Sequence, residues 1–125
     1  MLAEALILMA AAAPNLDAFD DANLALTTCG FAAYRQANAQ DQSLDQFRRT
    51  LSANCSNQIA DMRRAMIAVG IGRGKSREAA AAAADSTIAQ FHARFASHYA
   101  KRAETEAQLR GLERALREEG KSNAQ

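Results

Sequence analysis

Residues 44–69, LDQFRRTLSANCSNQIADMRRAMIAV, contain the longest regular apolar pattern in the chain and decide its fold. Ser43 followed by Gln46 forms a capping box, which marks a helix start. From that start, apolar residues recur at steps of three or four, the spacing of one helix face. The positions on this face are Leu44, Phe47, Leu51, Cys55, Ile59, Met62, Met66 and Val69. The pattern predicts an amphipathic helix over residues 44–69.

Two further helices flank this segment. Residues 17–37 begin with acidic side chains, which the helix dipole favours, and residues 77–119 follow a serine that can cap them. The polar stretch 38–43 and the glycine-rich stretch 70–76 separate the three segments. We therefore predict an all-α fold, a three-helix antiparallel bundle of helices 17–37, 44–69 and 77–119, with the third helix extending past the bundle.

The apolar faces of the three helices predict the core. On the first helix, Leu24 and Phe31 form a second apolar stripe, which predicts burial on two sides. On the third helix the stripe includes aromatic residues and continues backwards into an alanine run, residues 79–84. The predicted core residues are Leu26, Phe47, Leu51, Ile59, Met62, Met66, Phe91 and Phe95.

Past residue 101 the third helix changes character. The large apolar residues there are Leu109, Leu112 and Leu116, and many charged residues surround them. Gly111 weakens the helix by up to about 1 kcal/mol. We expect residues 101–125 to form a charged helical extension with a frayed tail. Such a helix can pair with a partner or with itself.

The N-terminal stretch MLAEALILMAAAAPN has the features of an export signal, apart from its charge. Residues 6–13 form an apolar block too short to span a bilayer, and Ala10 and Ala12 supply an A-x-A-like cleavage site. The only charged residue before the block is Glu4, where a signal peptide has basic residues. We expect residues 1–12 to be a signal peptide and residues 13–125 a single helical domain. The alternative is an N-terminal helical turn that is kept and packs on the core.

Cys29 and Cys55 are predicted to form a disulfide. They lie equally far from the first break, which is centred near residue 42, and each is on the apolar face of its helix. In an antiparallel hairpin such residues sit at the same height, within the reach of a disulfide. The alternative is a pair of buried free thiols, which pack as small apolar side chains.

Several chemistries are excluded by spacing. The stretch GIGRGKS, residues 70–76, departs from a phosphate-binding loop because Val69 stands where that motif needs glycine. His92 and His98 are six residues apart, so they point in different directions on a helix, and no C-x-x-C pair is present. We predict no enzyme, no cofactor and no metal site. The net charge of +1 also gives no indication of the basic surface that nucleic-acid binding needs.

These features predict a small exported, non-enzymatic helical protein, periplasmic or secreted and without a transmembrane segment. It would act as a protein-interaction or envelope-associated structural module braced by one disulfide, with a partner that the sequence does not identify. One alternative is a cytoplasmic interaction module with free thiols, whose C-terminal helix pairs with a partner or itself. Another is a small enzyme or ligand carrier whose pocket lies inside the bundle, lined by Met62, Met66, Phe91, Phe95 and Tyr99.

Overall fold

A computed structural model describes residues 16–123, which form four α-helices and no strand. The helices are α1 (Leu16–Ala39), α2 (Leu44–Asn54), α3 (Ser56–Gly72) and α4 (Arg77–Asn123). They pack as a helical bundle, so the all-α prediction is confirmed over the described part of the chain. The predicted signal peptide, residues 1–12, lies outside the described residues.

The predicted helix over residues 44–69 is divided in two at Cys55. The backbone there has φ −106° and ψ 15°, outside the regular helical values. Helical hydrogen bonding nevertheless continues across the break, since the Cys55 N–H donates to the Leu51 carbonyl at 3.1 Å and the Ile59 N–H donates to the Cys55 carbonyl at 2.9 Å. A single residue with irregular backbone angles does not change the spacing of the apolar residues, so the sequence pattern does not reveal this break.

The helix starts are capped as the sequence predicts. The Gln46 N–H donates to Ser43 Oγ at 3.2 Å, and the Ser43 N–H donates to Gln46 Oε1 at 2.8 Å. At the second break Ser76 Oγ accepts from the Ala79 N–H at 3.2 Å. The preceding helix α3 runs to Gly72, past its predicted end at residue 69, and the chain then turns at Gly74, whose φ of 90° favours glycine.

The bundle core is built mainly around α1, α2 and α3, with Tyr99 of α4. Phe47 stacks on Tyr99 with ring centroids 4.3 Å apart, and both side chains are buried. Of the predicted core residues, four are buried, namely Leu26, Phe47, Leu51 and Met62. The other four are partly buried and pack against that cluster, namely Ile59, Met66, Phe91 and Phe95.

Helices α3 and α4 approach closely at Gly70. A Cβ atom added there would lie 2.8 Å from the Cβ of Ala80, closer than real Cβ atoms come. Ala80 and Ala84, from the alanine run, are both buried. Asp85, which directly follows Ala84, accepts a hydrogen bond from Arg63 at 2.8 Å. This hydrogen bond lowers the pKa of the Asp85 carboxyl. Small side chains thus bring α3 and α4 together.

Helix α4 leaves the bundle at Tyr99 and Arg102. The Tyr99 hydroxyl lies 3.2 Å from the Ala37 carbonyl oxygen and 2.5 Å from that of Gln42, so it donates to the turn between α1 and α2. Arg102 lies over the Tyr99 ring and also donates to the Gln42 carbonyl at 3.1 Å and to Asn38 Oδ1 at 2.8 Å. These contacts hold α4 against the turn at the point where its extension begins.

Candidate functional site

An open apolar groove of about 610 Å³ lies between α1 and α4, above methionines of α3. It runs beside the aromatic side chains that the sequence places on the apolar faces of both helices. Its main apolar lining residues are Phe31, Tyr34, Met62, Met66, Phe91 and Phe95. The groove exists because α1 and α4 touch each other over only a short stretch, whereas each packs extensively on α3.

Gly30 of α1 positions the aromatic wall of the groove. A Cβ atom at this position would lie 2.7 Å from Cζ of Phe95 and 3.1 Å from Cζ of Phe91, so a side chain there would displace these rings from the α1 backbone. The next residue, Phe31, packs edge-on against Phe95, with ring centroids 5.4 Å apart. The result is a continuous aromatic surface that faces outward.

Two residues expected to be buried on a second side of α1 are exposed. Phe31 is 53% exposed and Leu24 is 68% exposed, so the prediction that α1 is buried on two sides is wrong. The second apolar stripe instead forms the edge of the groove at Phe31. An apolar stripe on a helix looks the same in sequence whether another helix of the same chain covers it or not.

The rim of the groove carries basic groups. Arg94 and His98 line it from α4, and both are exposed. No aspartate or glutamate is among the described residues that line it. An apolar floor with a basic rim suits an apolar segment that carries acidic flanks. Sequence periodicity alone did not single out Arg94 or His98, because the groove is made by two helices distant in sequence.

The predicted disulfide is present. Cys29 of α1 and Cys55 at the junction of α2 and α3 are bonded, with their Cα atoms 5.8 Å apart. Cys55 is fully buried, and Cys29 is partly buried beside the same core cluster. No free cysteine remains among the described residues. The bond ties α1 to the junction of α2 and α3.

The second feature that stands out is the extension of α4. All side chains described from Glu104 to Asn123 are exposed. Leu109, Leu112 and Leu116 are 57%, 61% and 62% exposed, although their spacing places them on one face. This apolar stripe has nothing packed on it within the described residues.

The described residues provide neither a metal site nor a membrane span. No group of three or more His, Cys, Asp or Glu side chains within residues 16–123 is placed to hold a metal ion. His98 lines the groove, whereas His92 lies on another side of α4, where burial lowers its pKa. No helix in this range is long and apolar enough to cross a bilayer. The GIGRGKS stretch forms the end of α3 and the turn before α4.

The groove, the disulfide and the exposed leucine stripe are therefore the features from which a function can be inferred. Each lies on residues that the helices hold at defined positions, and none of them carries a catalytic arrangement. No protein-family model, curated protein or solved structure matches this chain.

Proposed function

We propose that this is an exported, non-enzymatic protein that binds an apolar segment of another protein chain in the groove between α1 and α4. The observation that carries the proposal is the outward-facing aromatic surface of Phe31, Phe91 and Phe95 beneath a basic rim. Exposed apolar patches rimmed by polar groups are typical of protein-interaction sites. The protein acts as an interaction or envelope-associated structural module.

The architecture suits such a module. We infer that α2 and α3 behave as one rod, because hydrogen bonds continue through Cys55, and that residues 13–125 form a single three-helix antiparallel domain. The Cys29–Cys55 disulfide braces α1 against the junction of α2 and α3. Disulfides persist in oxidising compartments, which favours a periplasmic or secreted location over a cytoplasmic one with free thiols.

Export is tested by the intact mass of the protein from its native host. Cells are fractionated, and the protein is alkylated in denaturant without reductant before mass spectrometry. We expect a chain that begins at Ala13 and carries no alkyl group. A chain that begins at Met1, in the cytoplasmic fraction with two alkylated thiols, would overturn export and support the cytoplasmic alternative.

Binding in the groove is tested by a photo-crosslinking amino acid at Phe31 in the native host. The matched control carries the same probe at Asn57, which is exposed on α3 and does not line the groove. We expect a discrete protein adduct from position 31 that is absent at position 57. The proposal is wrong if both positions yield the same adducts or if neither yields one.

A second candidate function is favoured by the volume of the groove. About 610 Å³ is within the range of small-molecule sites, and Met62, Met66, Phe91 and Phe95 do line it. Tyr99, expected to join this set, lies instead in the buried core. Native mass spectrometry of the purified protein distinguishes the two functions, because a carrier retains a small apolar ligand at one per chain.

A further inference from the structure

We propose that the segment bound in the groove is the C-terminal extension of a second copy, so that two chains form a closed antiparallel dimer through α4. This inference rests on the proposed function and names the segment that the groove binds. Its occupant is the exposed stripe of Leu109, Leu112 and Leu116. The stripe and one wall of the groove belong to one helix, the 47-residue α4.

One seam joins the two surfaces. Starting in the groove, Phe91, Phe95 and His98 follow one another at steps of four and three residues. The same alternation continues without interruption through Arg102 and Thr105 to the three leucines of the extension. Alternating steps of three and four describe the seam along which two helices pack over a long distance. The spacing thus aligns the groove and the stripe along α4, on either side of Arg102, which contacts the turn between α1 and α2 of its own chain.

This seam is symmetric about a point between residues 103 and 104. An antiparallel second copy therefore places Phe91 opposite its Leu116, Phe95 opposite its Leu112 and His98 opposite its Leu109. A two-fold axis at that point fills both grooves at once, so the assembly closes at two chains. The exposed Thr105 lies beside the axis, where a polar seam position specifies register, whereas Arg102 stays on the turn between α1 and α2 of its own chain.

The extension cannot reach the groove of its own chain. Leu112 lies 17 residues beyond Phe95 on a continuous helix, about 25 Å along the axis at 1.5 Å per residue. A helical stripe in solvent also gains little stability of its own, because most helix stability in proteins comes from packing an apolar face. Gly111 and Gly120 weaken the extension further. A second copy supplies the missing packing surface.

Charges on the two surfaces are complementary. Arg94 and His98 line the groove, and both are exposed. The extension presents Glu106 and Glu113 beside its leucines, and both are exposed, with Glu113 3.8 Å from Arg117 of the same helix. Basic groups at the rim thus meet acidic groups that flank the incoming stripe, which favours this pairing over docking of a basic helix.

The dimer is tested first by analytical ultracentrifugation of the full mature chain. We expect the wild type to sediment as a dimer that dissociates on dilution. Leu112→Glu should raise the dissociation constant by at least about tenfold, because it places a charge in the seam. The matched control Ala107→Glu adds the same charge on the outer face of the extension and should leave the dissociation constant unchanged. Because both positions are exposed in the single chain, neither variant threatens the fold.

The register is tested by single cysteines and a short bismaleimide linker, which reacts only with the introduced thiol because Cys29 and Cys55 are bonded. Thr105→Cys lies next to the two-fold axis and should crosslink to itself. Leu116→Cys should not, because the two copies of residue 116 would be about 37 Å apart along the axis. Self-crosslinking at position 116 would indicate parallel pairing and overturn the proposal.

Failure of this inference is distinguishable from failure of the proposed function. If the wild type stays monomeric, or if Leu112→Glu and Ala107→Glu have equal effects on dimerisation, the segment bound in the groove is not that of a second copy. An adduct of a different protein at Phe31 would then leave the groove as a binding site for that protein. If no adduct forms at Phe31 either, both proposals are wrong.

Discussion

Removing the Cys29–Cys55 disulfide should destabilise the protein by about 3.5 kcal/mol. The two cysteines are 26 residues apart, and the chain-entropy model gives this value for closing a loop of that length in the unfolded chain. The variant that isolates this effect is Cys29→Ala/Cys55→Ala, since Cys55 is fully buried and alanine adds no polar group there. Serine at either position would add the cost of a hydroxyl among apolar neighbours.

Urea unfolding followed by circular dichroism measures this loss. With a slope of roughly 1–3 kcal/mol per molar urea, a loss of about 3.5 kcal/mol lowers the midpoint by more than about 1 M. Reducing the wild type should produce a comparable fall, whereas reductant should not affect the double variant. A double variant within about 0.5 kcal/mol of the oxidised wild type would refute the reasoning, because that is the size of an ordinary surface change.

Three further predictions concern single side chains. Tyr99→Phe should cost about 0.5–1.5 kcal/mol in urea melts, because it removes one hydrogen bond to the turn while the Gln42 N–H and Arg102 still donate to the two carbonyls, whereas Tyr34→Phe should cost less than about 0.5 kcal/mol. Gly70→Ala should destabilise by about 1–3 kcal/mol through overpacking against α4, and Gly111→Ala, which points into open space, should stabilise by about 0.5–1 kcal/mol. Burial lowers the pKa of His92, so stability that depends on its neutral form is present above the unfolded-state pKa of about 6.5 and is lost as the pH falls towards the lower folded-state pKa. His92→Gln should therefore lose less stability than the wild type between about pH 7 and about pH 5, and an equal loss would contradict the assignment.

The groove proposal gives the exposed residues of this protein a common explanation. Phe31 and the three leucines of the extension are large apolar side chains in contact with solvent in the single chain. Scattered apolar residues on a surface need no explanation, but Phe31 lines the groove and the three leucines continue the α4 spacing that begins in it. An interaction between copies would bury both sets at once.

The sequence alone determined the helical segments apart from the break at Cys55, the first turn and the cysteine pair, because each depends on local spacing. Apolar steps of three and four define a helix face, Ser43 and Gln46 define a helix start, and equal distance from a turn brings Cys29 and Cys55 to the same height. Each of these rules relates residues that are close in sequence or that are joined by one short loop.

Only the tertiary structure decided which apolar faces are covered. Phe91 and Phe95 are partly open and Phe31 is exposed because α1 and α4 are held apart, while Gly70 lets α3 and α4 come close. Distances between helices are set by contacts between residues far apart in sequence, and the period of a single helix contains no information about them. For the same physical reason, the groove and its basic rim became visible only when the helices were seen packed together.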